Sequence, residues 1–371
     1  MSPVQFARVL RFVALVAVLI AAGYFLGRHF RNAGDPKPAS PALSKHDAGR
    51  NANAPEYHTD SPASMLTRIF DRLRNGSLQP GDLAALRSRL LAADPHEAMA
   101  AMLSFLGTGQ DARTGESFGI QKGGGLAGAP TFRVMLLDLL GRIARDAGTD
   151  DAATFSRALL TRKTSADEWA VALRNVAWSS PDDRAFLAAK MREMLDYQPW
   201  RQRPGAGFLE AFDVIVFTRN ATFASDLAAL ATSEDDAVKR AAAAAMDRLS
   251  EMAPLDVMNY LNGHPAEFAD RPFLRADYFS KADLSQAQQR QAVEAYLARP
   301  DVTAAEKGKL LSVFASPGTF VGDTLVTQPS AADDPPQRTA GLRAAVGDWL
   351  KGNRFPDLAG PLAQLQQRLA E

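Results

Sequence analysis

Residues 234–251 read EDDAVKRAAAAAMDRLSE, and this stretch decides the fold class. Val238, Ala241, Ala242, Ala245, Met246 and Leu249 recur at i, i+3 and i+4 spacing, which lines one face of an α-helix. Lys239, Arg240, Asp247 and Arg248 then fall mostly on the outward face. The same period continues on both sides. It predicts helices over 64–75, 80–93, 95–106, 130–147, 149–161, 165–179, 181–196, 207–218 and 220–232, and further ones over 254–263, 285–298, 302–315, 338–351 and 356–370. Asp94-Pro95, Ser180-Pro181 and Ala253-Pro254 place a proline in a first turn, where its missing N–H costs nothing. The run Val134–Leu137 with Leu139, Leu140 and Ile143 is apolar nearly all round, which predicts a central helix. The best strand candidate, 319–326 (TFVGDTLV), is short and isolated. The class is therefore all-α.

Helix pairs begin near 64, 95, 149, 181, 220 and 254, a spacing that suits stacked helical hairpins. The acidic turn Asp235-Asp236, the pair Val238-Lys239 and the alanine-rich face of 241–245 resemble the second helix of a HEAT-type repeat. That resemblance is clearest at 234–251, and it implies a solenoid with a concave protein-binding surface. An irregular helical bundle is the other arrangement this pattern permits.

At the amino end, Phe12–Gly27 (FVALVAVLIAAGYFLG) is free of charge and bounded by Arg11 and Arg28. As a helix it spans about 24 Å, and the flanking arginines extend its reach to the headgroups of a bilayer. A cleaved signal peptide would use Arg8 and Arg11 as its basic end and Ala21-Ala22-Gly23 as its cleavage site. The apolar Tyr24-Phe25-Leu26 and the basic Arg28, His29 and Arg31 that follow favour a retained anchor. Residues 28–62, with prolines at 36, 38, 41 and 55, carry no apolar period and read as a flexible linker. The expected organisation is a cytoplasmic tail at 1–11, a transmembrane helix at 12–27, the linker, and a helical body at 63–371 placed in the periplasm. Within that body a glycine-rich loop covers 107–129 and an irregular segment covers 317–337.

Lys+Arg and Asp+Glu both number 42, a balance that argues against nucleic acid as a partner. The chain has no cysteine, which excludes disulfides, thiolate metal sites and cysteine nucleophiles and suits an oxidising compartment. The five histidines, at 29, 46, 58, 96 and 264, form no metal-ligand spacing. Neither a GxSxG elbow nor a phosphate-binding GxxxxGK[ST] is present, and no cofactor is implied.

Three places could carry contacts. Residues 107–128 (GTGQDARTGESFGIQKGGGLAG) hold eight of the 26 glycines, and Asp111, Thr114 and Lys122 are their polar candidates. The helix that follows opens at Pro130-Thr131, and its first N–H groups could hold an anion. The aromatic–basic segment Tyr197-Gln198-Pro199-Trp200-Arg201-Gln202-Arg203-Pro204 offers Trp200, Arg201 and Arg203, residue types enriched at interaction hot spots. Trp200 could equally plug a gap between helices. Glu210 and Asp213 lie three apart, with arginines 201, 203 and 219 nearby, and read as an ion-paired helix face.

The expected function is a membrane-tethered, extracytoplasmic interaction or scaffold module of the bacterial inner membrane, with a protein partner and no catalysis. Anchor, Ala/Pro-rich linker and helical body also resemble the layout of lipase-specific foldases, which implies a steric chaperone. The nearest text to that family's Arg-x-x-Phe-Asp motif is Arg68-Ile69-Phe70-Asp71-Arg72, where the arginine stands one residue too close, so no site carries over. An enzyme built on the glycine-rich loop is the third alternative.

Overall fold

Capping side chains set the helix starts. Ser61, Asp94, Thr131, Ser165, Asp235 and Thr303 each accept a first-turn N–H, and Pro62, Pro95, Pro254 and Pro272 each occupy a first turn. In the computed structural model, which describes residues 61–314, 322–327 and 335–370, these starts open an all-α body. Its first helices are α1 (Pro62–Arg74), α2 (Asp82–Ala92) and α3 (Pro95–Gly107). A short antiparallel hairpin follows, β1 (Gly119–Ile120) and β2 (Leu126–Gly128), with Gly119 opposite Gly128 and Ile120 opposite Leu126. Next come α4 (Phe132–Ala147), α5 (Asp151–Leu159), α6 (Ala166–Ser179) and α7 (Arg184–Asp196). Three short helices, α8 (Gln198–Gln202), α9 (Ala206–Glu210) and α10 (Phe212–Thr218), lead to α11 (Phe223–Leu230) and α12 (Asp236–Met252). The remainder is α13 (Pro254–Gly263), α14 (Pro272–Phe279), α15 (Ala287–Ala298), α16 (Ala304–Val313), α17 (Pro335–Lys351) and α18 (Ala359–Arg368).

Packing follows chain order. α1 rests on α2 and α3, α3 on α4, and α4 on α5 and α6. α6 touches α7, α9 and α10; α10 packs on α12, and α12 on α13 and α14. The array continues from α13 to α15, from α14 to α16 and from α16 to α18. α4 and α6 are buried over most of their circumference, from Phe132 to Leu140 and from Trp169 to Ala177, so the central place expected for 130–147 is observed.

Several expectations change. Residues 207–218 are two helices rather than one, because the Val214 N–H turns back to Ala211 O, three residues away. The first of the two lies tight on α6, where a Cβ on Gly207 would come within 2.5 Å of the Asp167 backbone. Helix α14 was not anticipated, since eight residues are too few to display a helical period. The 198–204 loop contains the single turn α8, and the helix expected at 338 starts at Pro335. The described part of the strand candidate, 322–326, is irregular, and the chain is buried from Thr324 to Thr327. The apolar stretch 12–27, nearly all of the linker and residues 315–321 and 328–334 lie outside the described residues. Among the described residues, no helix is long and apolar enough to cross a membrane.

Candidate functional site

The glycine-rich segment is held along α4 from one end to the other. At the start of α4 the Asp111 carboxylate accepts the Arg133 N–H at 3.0 Å, and Thr131 Oγ1 accepts the Val134 N–H. The Phe132 N–H bonds Ala112 O at 2.9 Å. The first turn of α4 is thus filled from within, and the anion seat expected there is not formed. Thr114 ties the two ends of the segment: its hydroxyl donates to Ala129 O and its N–H to Pro130 O at 3.1 Å. Glu116 holds the same neck through Arg87 and the Ala129 N–H.

Further along, the hairpin docks on a buried ion pair. Asp138 of α4 and Arg174 of α6 meet at 2.6 Å, and Arg174 is wholly buried. Asp138 Oδ1 also accepts the Leu126 N–H at 2.9 Å, while Arg174 donates to Gly124 O at 2.8 Å. Asn175 accepts from Arg174 and donates to Leu137 O, closing the network. A Cβ on Gly141 would stand 2.0 Å from Asn175 Oδ1, so glycine is required at that crossing. The Trp178 ring lies beside both the Arg145 and Arg174 guanidiniums, each 4.1 Å from its centre. Lys122 is exposed at the hairpin tip, near the C-terminal end of α4, since Arg145 reaches Gly123 O. Asp111 and Lys122 therefore belong to opposite ends of α4, about 18 Å of helical rise apart.

A cleft of about 570 Å³ opens at the Asp111 end, between the segment's first residues, α5 and the start of α6. Its base is the buried pair Arg133–Glu168, with Arg133 Nε 2.8 Å from Glu168 Oε1 and Arg133 Nη1 donating to Leu106 O. Glu168 is only 4 % exposed, and its Oε2 has no hydrogen-bond partner. An unpaired buried acceptor costs about 1–3 kcal/mol, so this oxygen is a place where a guest's donor group would be welcome. Asp111, Arg162 and Asp167 add further charge to the lining, with the hydroxyls of Thr131, Thr164 and Ser165 beside them.

The aromatic–basic segment reaches the other side of the same turn, 160–167. Trp200 is half-buried, its ring edge-on to the buried Trp169 at 5.3 Å and to Tyr197 at 4.8 Å. Lys163 Nζ lies 3.8 Å from the centre of the Trp169 ring, and burial pulls the pKa of this lysine down. Arg201 and Arg203 are exposed. Trp200 is thus the packing plug and the two arginines are its free rim.

Asp167, in the lining of the cleft, accepts the Gly207 N–H of α9 at 2.9 Å. Burial raises its pKa, with Glu168 adding to the rise and the Gly207 bond opposing it. A carboxyl raised in the folded state loses stabilising contribution as pH climbs from the unfolded pKa to the folded one. Asp167→Asn keeps an acceptor for Gly207 and removes that loss. The variant is expected to melt above the wild type at neutral pH, and the gain should vanish at about pH 3 in melts across a pH series.

Sequence reasoning missed a second buried cluster. Arg248, expected to face outward from α12, is 8 % exposed and pairs with Asp213. Asp213 therefore does not share an open face with Glu210, which is exposed. The signal that could have found the pair was the charge of Asp213 inside the apolar run FLEAFDVIVF. His264 stacks on Tyr260, and among the described residues no group of three His, Asp or Glu is placed to hold a metal ion. No family model, curated protein or solved structure matches this chain.

Proposed function

We propose that the chain is a membrane-tethered, extracytoplasmic protein-interaction module of the bacterial envelope, anchored by residues 12–27 and working through its helical body. The observation that carries this reading is the meeting of the Glu168 cleft, lined by Arg162 and Thr164, with the Tyr197–Arg203 segment, whose Tyr197 and Trp200 rings face Lys163 of the same turn. Two features far apart in sequence make one neighbourhood that joins aromatic anchors, exposed arginines and an unpaired acceptor. Such a mixture characterises binding hot spots. In this reading the chain-order packing of the helices is that of stacked, HEAT-like hairpins, which present broad surfaces to a protein partner.

The test uses the exposed arginines, because replacing Trp200 would also disturb the Trp169 packing. The full-length chain carrying Arg201→Glu and Arg203→Glu should melt like the wild type. After crosslinking in envelope membranes it should recover at least about tenfold less of its partner protein, a loss of the size that hot-spot charges produce. Undiminished recovery would remove this surface from the interface.

A further inference from the structure

Resting on the interaction reading, we propose that Asp213 and Arg248 form the centre of a groove for a bent segment of a partner protein, and that residues 322–327 are a resident competitor for it. The segment Gly322-Asp323-Thr324-Leu325-Val326-Thr327 is neither helix nor strand, yet Leu325 is fully buried and Thr324, Val326 and Thr327 nearly so. Its backbone is read by a side chain. Asp213 Oδ2 accepts the consecutive N–H groups of Val326 at 2.6 Å and Thr327 at 2.8 Å. The Thr327 hydroxyl donates to Asp213 Oδ1 and accepts from Arg248, which itself pairs with Asp213. One carboxylate, one guanidinium and one hydroxyl thus close a neutral ring around a peptide.

The walls of this groove also pack on one another. α10 carries Asp213, α12 carries Arg248, and these helices pack on each other while α10 also touches α6. The hairpin touches the segment at Gly124. A Cβ on Gly124 would sit 2.3 Å from Leu325 O and 3.1 Å from the Trp178 ring, so the glycine at this positive-φ position makes room for the guest's backbone. Nothing in the recognition requires covalent continuity, since Asp213 and Val326 are 113 residues apart. The chemistry selects a bent segment that offers two consecutive N–H groups to Asp213 Oδ2, with an apolar residue two places before a threonine. The apolar side chain would take the Leu325 position, and the threonine would supply the N–H and hydroxyl that Asp213 reads.

The test is competition by the peptide Gly-Asp-Thr-Leu-Val-Thr-amide, carrying a fluorophore on its amino end, against the full-length chain. A chain carrying Leu325→Ser and Thr327→Ala should bind it at least about tenfold more tightly than the wild type, because the resident segment no longer competes. Adding Asp213→Asn should abolish that binding, and a peptide with valine in place of its last threonine should bind about tenfold more weakly. A second measurement keeps the resident segment nearly intact. The chain has no cysteine, so Val326→Cys gives a unique thiol. Its modification rate should rise several-fold when the peptide is present in excess and should not respond to a scrambled peptide. Absence of both binding and thiol exposure would overturn the groove. That failure is distinct from failure of the interaction reading, which the Arg201 and Arg203 variant tests with no peptide involved.

Discussion

In a urea titration, Asp138→Ala is expected to unfold with about 3–5 kcal/mol less stability than the wild type. Arg174, its partner, is wholly buried, and removing the carboxylate leaves a guanidinium with no counter-charge. Burial already pushes the pKa of Arg174 down, and Asp138 is the charge that opposes this. The Leu126 N–H loses its acceptor as well, so the hairpin should come loose before the body does. Hydrogen exchange supplies the second readout: the Leu126 amide should lose protection in the variant under conditions where α12 keeps its own. Asp138→Asn, which retains an acceptor oxygen, should lose less than the alanine variant. Lys239→Ala is the control, because its exposed pair with Asp236 should change stability by no more than about 0.5 kcal/mol. An alanine variant within that same margin would show that the Asp138–Arg174 pair does not hold the hairpin.

Glu306→Ala should produce a loss of similar size, about 3–5 kcal/mol, at a separate place in the array. Glu306 on α16 takes Arg275 of α14 through both oxygens, at 2.7 and 3.0 Å, and accepts the Tyr296 hydroxyl of α15. All three residues are 3 % exposed or less. One carboxylate therefore joins three helices. Burial, and then the bond to Glu306, push the Tyr296 pKa far above the ordinary tyrosine value. The stability this phenol contributes is complete below the unfolded tyrosine pKa of about 10 and falls as pH rises beyond it. Glu306→Gln keeps one carbonyl acceptor and should retain part of the loss. The effects of Asp138→Ala and Glu306→Ala should add, since their networks share no partner. A sum that falls well short would mean that the two networks belong to one coupled unit.

Much of the helical body was legible because its helices advertise themselves. The face of 234–251 and the all-round apolar run of 130–147 appear as α12 and α4, with caps where Asp235 and Thr131 stand. What escaped was whatever depends on distant partners. Arg248 looked solvated because amphipathic patterning sends charge outward, whereas its acceptor is 35 residues earlier in chain order. The glycine-rich stretch looked like a plain loop because its order comes from Asp138 and Arg174, which lie outside it. Its hairpin strands are two and three residues long, below the length at which alternation can be read. The candidate residues divided in the same way. Asp111 and Trp200 came together around one turn, Arg201 and Arg203 formed its rim, Thr114 proved to be a tie within the loop, and Lys122 went to the far end of α4.

The chain-order packing has a consequence for how the protein is made. Contacts between near neighbours close small loops at little entropic cost and allow rapid folding. Helices α1 to α12 can consolidate while later residues are still being synthesised. The docking of residues 322–327 onto Asp213 and Arg248 runs against that order, because its two halves are delivered 113 residues apart. Until the segment arrives, Asp213 and Arg248 of the newborn body stand without it, and under the groove proposal that interval is when a rival chain can enter.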